Sequence, residues 1–136
     1  MAGLEDAQAR GAAGDDLAAE VHLDQLGAQV ASREEALAAD LLVTMTPGHE
    51  VLLPEGSLQA GQHVSLMGAD GPGKAELGVE ELLRSRIFCD DWEQASHNGE
   101  LVHAVEAGLL RREQVTELGR VLLGDEAGRT SGKEIT

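Results

Sequence analysis

A glycine-rich turn that carries one carboxylate and one amine is the first place in the sequence where chemistry could occur. Residues 68–74 read Gly-Ala-Asp-Gly-Pro-Gly-Lys and so match the spacing of a phosphate-binding loop, G-x-x-x-x-G-K. Ala75 stands where that loop needs Ser or Thr for Mg²⁺, and Pro72 lacks an N–H that could hold phosphate. A nucleotide-phosphate loop is therefore disfavoured. A plain turn explains the glycines but gives no reason for Asp70.

Two turns end predicted strands and are expected to meet. Asp70 follows the apolar run 63–67, and Thr46 follows the run 41–45 before Pro47 and Gly48. Open parallel sheets bind ligands beyond the carboxyl ends of their strands, so both turns would lie on one rim. Short side chains and free backbone groups there suit a flat cofactor, although each turn alone is also an ordinary way to leave a strand.

Other polar groups give weaker indications. His97, Glu100 and His103 have the spacing H-x-x-E-x-x-H, which suggests a metal site, but Asn98-Gly99 interrupts the helix that would align them. We therefore predict no metal. Asp91 is better explained as the cap of the next helix, and Cys89 as buried packing.

The pattern of apolar runs predicts an α/β chain with a parallel sheet. A capping box, Ser32 to Glu35, opens a helix that we expect to run through Ala39. The predicted strands are 41–45, 63–67 and 86–90, and all three are expected to be parallel neighbours. The other predicted helices are 15–26, 76–84, 92–97 and 112–123. We divide the chain into a poorly ordered lead-in (1–14), a domain (15–123) and a polar tail (124–136).

Charge and composition exclude several classes of function. Ten basic and 25 acidic residues give a net charge of −15, which opposes binding to nucleic acid or to an anionic membrane surface. Cys89 is the single cysteine, so a disulfide framework is excluded. The first residues lack a signal peptide, and the apolar runs are far shorter than the ~20 residues of a membrane span. We expect a cytoplasmic protein.

Taken together, four blocks of sequence resemble the ornithine cyclodeaminase/μ-crystallin family. The blocks are V-T-M-T-P (43–47), the long segment from Leu53 to Leu77, F-C-D-D-W-E-Q-A (88–95) and G-R-T-S-G-K-E-I-T (128–136). They occur in the family's order and spacing and cover roughly residues 28–136. Residues 1–27 match poorly.

The resemblance implies a Rossmann-type domain that holds NAD or NADP. It implies here a partial, doubly wound parallel sheet flanked by helices and missing its first βα unit. It also implies that Asp70 is the catalytic acid. The residues implied to bind the cofactor are Thr46, Leu66, Met67, Gly68 and Ser131.

The resemblance implies an enzyme that removes hydride from Cα of an amino acid, as an ornithine cyclodeaminase does before it releases ammonia. Alanine dehydrogenase and ketimine or pyrroline-2-carboxylate reductase are alternatives, and a non-catalytic, crystallin-like binder of NADP(H) is another. The partners implied are an amino acid or cyclic imine and a second copy of the full-length protein. Because the family's phosphate loop and basic substrate residues have no match in this sequence, we expect a fragment that alone is inactive and binds NAD(H) weakly or not at all.

Overall fold

The computed structural model describes residues 25–46, 49–71 and 73–136. The predicted lead-in 1–14 and residues 15–24 of the predicted domain lie outside the described residues. In chain order the elements are α1 (Arg33–Leu37), β1 (Leu41–Thr44), β2 (His63–Leu66), α2 (Val79–Leu83), β3 (Ile87–Cys89), α3 (Trp92–His97), α4 (Val102–Glu106), a 3₁₀ turn (Arg112–Gln114), β4 (Val115–Glu117) and α5 (Leu118–Leu123).

Helix α1 begins at the predicted capping box. The Ser32 hydroxyl accepts the Glu35 N–H at 3.2 Å, and the Glu35 carboxylate accepts the Ser32 N–H at 2.9 Å. The helix ends at Leu37 rather than at Ala39, because the last turn tightens: the N–H groups of Ala38 and Ala39 bond to carbonyls three residues back. The predicted start is confirmed and the predicted end is two residues too long.

Strands β1 and β2 are parallel neighbours, as the sequence predicts. Leu41 pairs with His63 and Thr44 with Leu66, so the two strands run in step from end to end. Each strand is one residue shorter than predicted, since Met45 and Met67 already belong to the turns. The carboxyl ends of β1 and β2 therefore lie side by side, which is the arrangement that the candidate site needs.

The third predicted strand pairs elsewhere. Within the described residues, β3 is hydrogen-bonded to β4, with Ile87 opposite Val115, and β1–β2 and β3–β4 form two separate two-stranded parallel sheets. The prediction that 63–67 and 86–90 are direct neighbours is wrong. The predicted helix 112–123 is also wrong over its first half, because β-branched Val115 and Thr116 extend beside β3, and Val115 is buried there.

The buried hydrophobic side chains of the core come from both sheets and from the helices. They are Leu42, Leu53, Leu58, Leu77, Leu82, Ile87, Cys89, Leu101, Ala104, Leu110, Val115 and Ile135. Trp92, the single tryptophan, packs partly buried against this core. As predicted, Asp91 caps α3 by accepting the Gln94 N–H at 2.8 Å. The helices in the described part of the chain are all too short or too polar to cross a bilayer.

A fully buried carboxylate holds the connector between β1 and β2. Glu81 on α2 accepts the N–H groups of Gly56 at 2.9 Å and Leu58 at 2.7 Å, and its other neighbour is the Arg84 guanidinium at 3.2 Å. Both carboxyl oxygens of Glu81 thus have hydrogen-bond donors, as burial of a polar group requires. The Glu81 side chain thus helps to fix the connector against α2, together with the Arg84 guanidinium, which donates to the Leu58 carbonyl.

Candidate functional site

The carboxyl ends of β1 and β2 are joined by one buried carboxylate, that of Glu76. Its Oε1 accepts the Thr46 N–H and the Thr46 hydroxyl, both at 2.9 Å. Its Oε2 accepts the Thr44 hydroxyl at 2.6 Å and the Gly68 N–H at 2.8 Å. Four donors, from the last residue of β1 and from the turns after β1 and β2, thus converge on one side chain that is 1% exposed. We call Thr44, Thr46, Gly68 and Glu76 the rim cluster.

The rim cluster keeps its carboxylate ionised. Burial raises the pKa of Glu76, but the hydrogen bonds from Thr44, Thr46 and Gly68 outweigh burial and hold that pKa below its usual range. Because a carboxylate accepts all four bonds without conflict, the ionised form fits this set of donors. The spacing between Thr46 and Gly68 is therefore set by a charge-assisted network rather than by packing alone.

A second carboxylate supports the backbone of the first. Glu100, which precedes α4, accepts the Glu76 N–H at 3.0 Å and the Leu77 N–H at 2.6 Å. Burial is the largest influence on Glu100 and raises its pKa to about 7, even though these two backbone bonds act in the opposite direction. Glu100 thus fixes the position of the backbone at Glu76 and Leu77.

Asp70 lies two residues beyond Gly68 and faces solvent. Its carboxylate accepts a hydrogen bond from the Lys74 ammonium at 2.5 Å, and its side chain is 72% exposed. The bond and the charge of Lys74 hold the pKa of Asp70 below its usual range. At neutral pH the group is a carboxylate that can accept a proton and that an incoming molecule can reach.

Apolar surface lies beside the polar groups of the rim. Met45 and Met67, the first residues after β1 and β2, are 57% and 62% exposed. Gly68, which follows Met67, is buried. A Cβ at Gly68 would lie 2.6 Å from the Thr46 carbonyl oxygen. The surface of the rim is thus low at its centre and flanked by two thioether side chains.

The structure brings together four of the five residues that the resemblance assigns to the cofactor, together with Asp70. Thr46, Met67 and Gly68 are at the carboxyl ends of β1 and β2, and Leu66 is the last residue of β2. The predicted clustering of Thr46 and Gly68 on one edge agrees with their shared bonds to Glu76.

Ser131 lies apart from this group. Arg129 binds the carbonyl oxygens of Ser131 and of Gly61, and Gly61 precedes the amino end of β2. The Ser131 hydroxyl accepts the Lys133 N–H at 3.2 Å within its own turn. The turn that carries Ser131 is therefore tied to the amino end of β2, apart from the other four residues, and its implied contact with the cofactor stays a prediction.

The three side chains of the H-x-x-E-x-x-H pattern do not converge. The Glu100 carboxylate is taken by the Glu76 and Leu77 N–H groups, and the His97 ring contacts the Glu93 carbonyl on its own helix at 2.9 Å. No group of three or more metal-ligating side chains comes together in the described residues. Cys89 is buried, and burial raises the pKa of its thiol.

Sequence reasoning missed Glu76 and Glu100. The sequence pattern predicts Glu76 as the first residue of a helix, where an acidic residue needs no further explanation. The available indication was its position one turn after Gly68-Ala-Asp70 and next to an apolar Leu77, since a carboxylate that starts a buried segment must find donors. The sequence indicates Glu100 only as a metal ligand, because its backbone partners lie 23 and 24 residues away in sequence.

Comparisons with known proteins agree with this architecture. The profile of the ornithine cyclodeaminase/mu-crystallin family matches residues 9–136. An alanine dehydrogenase of Archaeoglobus fulgidus is 43% identical over 112 residues, which are 82% of this chain and 35% of that protein. An iminosuccinate reductase of Paracoccus denitrificans is 40% identical over 80% of this chain and 31% of its own length. An ornithine cyclodeaminase of Agrobacterium fabrum is 35% identical over 85% and 33%. The chain thus spans about a third of the length of these curated relatives.

Two solved structures share the fold. An archaeal alanine dehydrogenase dimer with bound NAD superposes with a TM-score of 0.78 at 41% identity, over 85% of this chain and 37% of that one. The Paracoccus denitrificans iminosuccinate reductase in complex with NAD⁺ gives 0.76 at 34% identity, over 90% and 38%. The parallel strands, the flanking helices and the family profile agree. The chain belongs to the ornithine cyclodeaminase/mu-crystallin family.

Proposed function

We propose that this chain forms the nicotinamide side of an NAD(P)-dependent enzyme that acts at the Cα–N bond of a small amino acid or imine. The observation that carries the proposal is the rim cluster: Glu76 holds Thr46 and Gly68 together at the carboxyl ends of two parallel strands, with Asp70 two residues further on. This is the place where open α/β sheets bind cofactors. The two similar solved structures contain NAD or NAD⁺.

The residues at the rim fit a flat, partly apolar ring. Gly68 lets the turn after β2 lie close to Thr46 and Glu76, and Met45 and Met67 offer exposed, polarisable surface. The Thr46 hydroxyl and N–H are held in place by Glu76, so this part of the backbone is fixed before a ligand arrives. Such preorganisation lowers the entropy cost of binding.

A bound nicotinamide would supply the hydride acceptor or donor, and the protein supplies the proton chemistry. Oxidation of an amine at Cα also requires a proton to leave the nitrogen. Asp70 is ionised and exposed, so its carboxylate can take that proton from the substrate or from an intervening water. The Lys74 ammonium holds the carboxylate in position and keeps it ionised between turnovers.

The degree of similarity favours a dehydrogenase or imine reductase over a cyclodeaminase. Identity is 43% to the alanine dehydrogenase and 40% to the iminosuccinate reductase, against 35% to the ornithine cyclodeaminase. We therefore place oxidation of a small amino acid such as alanine, or reduction of the corresponding imine, ahead of cyclising deamination of ornithine. We also propose that the complete protein is a homodimer, since one similar solved structure is a dimer.

A titration of the ¹⁵N-labelled chain with NADH, followed by NMR, tests the proposal. We expect weak binding, with a Kd above about 0.1 mM, and shifts concentrated at the amides of Thr46, Met67, Gly68 and Asp70. Nicotinamide mononucleotide should shift the same amides because it contains the same ring.

Adenosine monophosphate is the control, since it carries only the other half of the cofactor and should leave the rim amides unshifted. NADH shifts that map away from the rim, or none at the highest soluble concentration, would contradict the proposed site.

A further inference from the structure

The turn between α3 and α4 carries Asn98, the single asparagine of the sequence, and Gly99 follows it directly. Asn98 is exposed and lies just outside α3, with φ at −137° and ψ at 8°. Asparagine followed by glycine is the dipeptide most prone to lose its side-chain amide, because glycine has no side chain to shield its own peptide nitrogen. The residues that interrupt the helix thus place a reactive amide at the surface.

Packing against α3 requires glycine at position 99. Gly99 is buried, and a Cβ there would lie 2.9 Å from the Ala95 Cα and 3.1 Å from the Ala95 carbonyl oxygen. Contacts this short with backbone atoms force the backbone to shift, so any side chain would push the turn away from the helix. The fold therefore keeps Asn98 in front of a glycine.

The peptide group between Asn98 and Gly99 can rotate inside an otherwise fixed turn. On either side of it, the Asn98 N–H donates to the Gln94 carbonyl at 2.9 Å and the Leu101 N–H donates to the Ala95 carbonyl at 3.1 Å. Among the described residues, neither the Asn98 carbonyl nor the Gly99 N–H makes a backbone hydrogen bond. Rotation of this peptide plane therefore breaks no such bond, and glycine tolerates the backbone angles that result.

We propose that Asn98 is a site of spontaneous deamidation and that its isoaspartate product displaces Glu100 from the backbone of Glu76. Rotation about ψ of Asn98 brings the Gly99 nitrogen to the side-chain Cγ. The Gly99 N–H gives its proton to hydroxide, the N–Cγ bond closes a succinimide ring, and the side-chain nitrogen takes a proton from water and leaves as ammonia. Water then opens the ring at one of its two carbonyl carbons, which gives aspartate or isoaspartate.

Isoaspartate lengthens the backbone two residues before Glu100. The main chain then passes through the former side-chain carboxyl, so one methylene is inserted before Gly99. Glu100 accepts the Glu76 N–H at 3.0 Å and the Leu77 N–H at 2.6 Å, and hydrogen bonds weaken steeply when distance and angle change. The inserted methylene therefore loosens the backbone that carries Glu76. The proposal does not depend on the proposed function, since it concerns only this covalent change and these bonds.

The experiment incubates the folded chain at mildly alkaline pH and follows its proteolytic peptides by mass spectrometry. We expect the peptide that contains Asn98 to gain the mass of an amide-to-acid conversion. Its rate should lie within about tenfold of the rate in a synthetic peptide of residues 94–102, because the rotation breaks no backbone bond. A factor of ten corresponds to a local opening cost of about 1.4 kcal/mol. A folded chain that converts more than about tenfold more slowly, or not at all, would overturn the proposed site.

The control variant is Asn98→Gln, which keeps an amide but moves it one methylene further from the Gly99 nitrogen. It should gain no such mass over the same period, and an equal gain would overturn the assignment to Asn98. Asp70 also precedes a glycine and can form isoaspartate without a change in mass. Methylation by an isoaspartate-specific methyltransferase, followed by fragmentation of the labelled peptides, separates residue 98 from residue 70.

Amide hydrogen exchange measured by NMR tests the effect on Glu100. In the isoaspartate form, isolated by chromatography, we expect the amides of Glu76 and Leu77 to exchange at least about tenfold faster than in the parent chain. Asn98→Asp carries the same new charge on a backbone of normal length, so it should exchange like the parent. Unchanged exchange in the isoaspartate form, or equally fast exchange in Asn98→Asp, would overturn the proposed displacement of Glu100.

Discussion

Glu76 and Glu100 form two successive supports beneath the rim. Glu100 bonds to the backbone N–H of Glu76, and the side chain of Glu76 then gathers donors from the turns after β1 and β2. The pKa of Glu76 is lowered, because its four hydrogen-bond donors outweigh the effect of burial. The pKa of Glu100 is raised, because it has only two backbone donors and burial has the larger effect. A change in the protonation of Glu100 therefore acts on the rim cluster through the backbone N–H of Glu76.

Replacement Glu76→Gln should destabilise the fold by about 1–3 kcal/mol. Each carboxylate oxygen accepts from a backbone N–H, so the amide NH₂ must face one of these donors in either orientation. Urea unfolding followed by Trp92 fluorescence measures the loss. Glu80→Gln, on the exposed side of α2, is the control and should change stability by less than about 0.5 kcal/mol. Equal effects of the two substitutions would show that Glu76 is an ordinary buried side chain.

Glu100 should make stability fall as pH rises. Its pKa is about 7 in the folded chain and ordinary, near 4.5, when unfolded, so its contribution is complete below pH 4.5 and is lost as pH rises through 7. Glu100→Gln keeps an oxygen for both backbone donors and cannot ionise. The variant should gain on the order of 1–3 kcal/mol over the parent between pH 5 and pH 8.

Denaturant unfolding across that pH range checks this result, and the exposed Glu106→Gln provides the control. A difference between Glu100→Gln and the parent that stays constant with pH would refute the assignment.

Lys74 should set the ionisation of Asp70. Lys74→Met removes both the hydrogen bond and the positive charge, so the pKa of Asp70 should rise toward its ordinary value. The side-chain carboxyl carbon of Asp70, followed by ¹³C NMR against pH, reports this directly. Lys133→Met, on the far turn, should leave the titration of Asp70 where it is. An unmoved midpoint in Lys74→Met would mean that the pair does not persist in solution.

Among the helices and strands, the sequence predicted the helix caps and the apolar strands, which depend on residue types that can be read directly. The capping box at Ser32 and the Asp91 cap follow from side-chain acceptors within three residues of their donors, and the parallel pairing of β1 with β2 follows from two apolar runs. Strand β4 did not follow, because Val115 also fits a helical repeat with the leucines after it. Its extended form depends on pairing with β3, 28 residues away between Ile87 and Val115, and no local pattern records that.

The turn after β2 can lie close to Thr46 and Glu76 because Gly68 has no side chain. A Cβ at Gly68 would meet the Thr46 carbonyl at 2.6 Å and the Glu76 carboxyl carbon at the same distance. Gly68→Ala should therefore cost about 1–3 kcal/mol and shift the amides of the rim cluster. Gly71→Ala, where a Cβ meets nothing within 4 Å, is the matched control. Thermal unfolding and NMR spectra compare them; an unperturbed Gly68→Ala would contradict the tight contact.

For the molecule as a whole, the family resemblance and the pattern of apolar residues predicted different features. The resemblance supplied the family, and the profile over residues 9–136 confirms it. The apolar runs supplied the α/β class. Neither predicted that the sheet is divided into two parts or that Ile135 returns to the core, because both features depend on long-range contacts of the last residues. Thr46 and Gly68 could be predicted to meet, whereas the carboxylate that joins them could not.

The central claim is that Asp70, held beside the rim cluster, transfers the substrate proton. The most direct test replaces the matching 112-residue segment of the Archaeoglobus fulgidus alanine dehydrogenase with that of this chain and measures turnover of L-alanine with NAD⁺. Asp70→Asn in this hybrid should lower kcat by about 10²–10⁴-fold and leave NADH affinity unchanged, because the amide keeps the shape but not the proton transfer. Asp125→Asn is the control and should retain full turnover. An Asp70→Asn hybrid as fast as its parent would contradict the account.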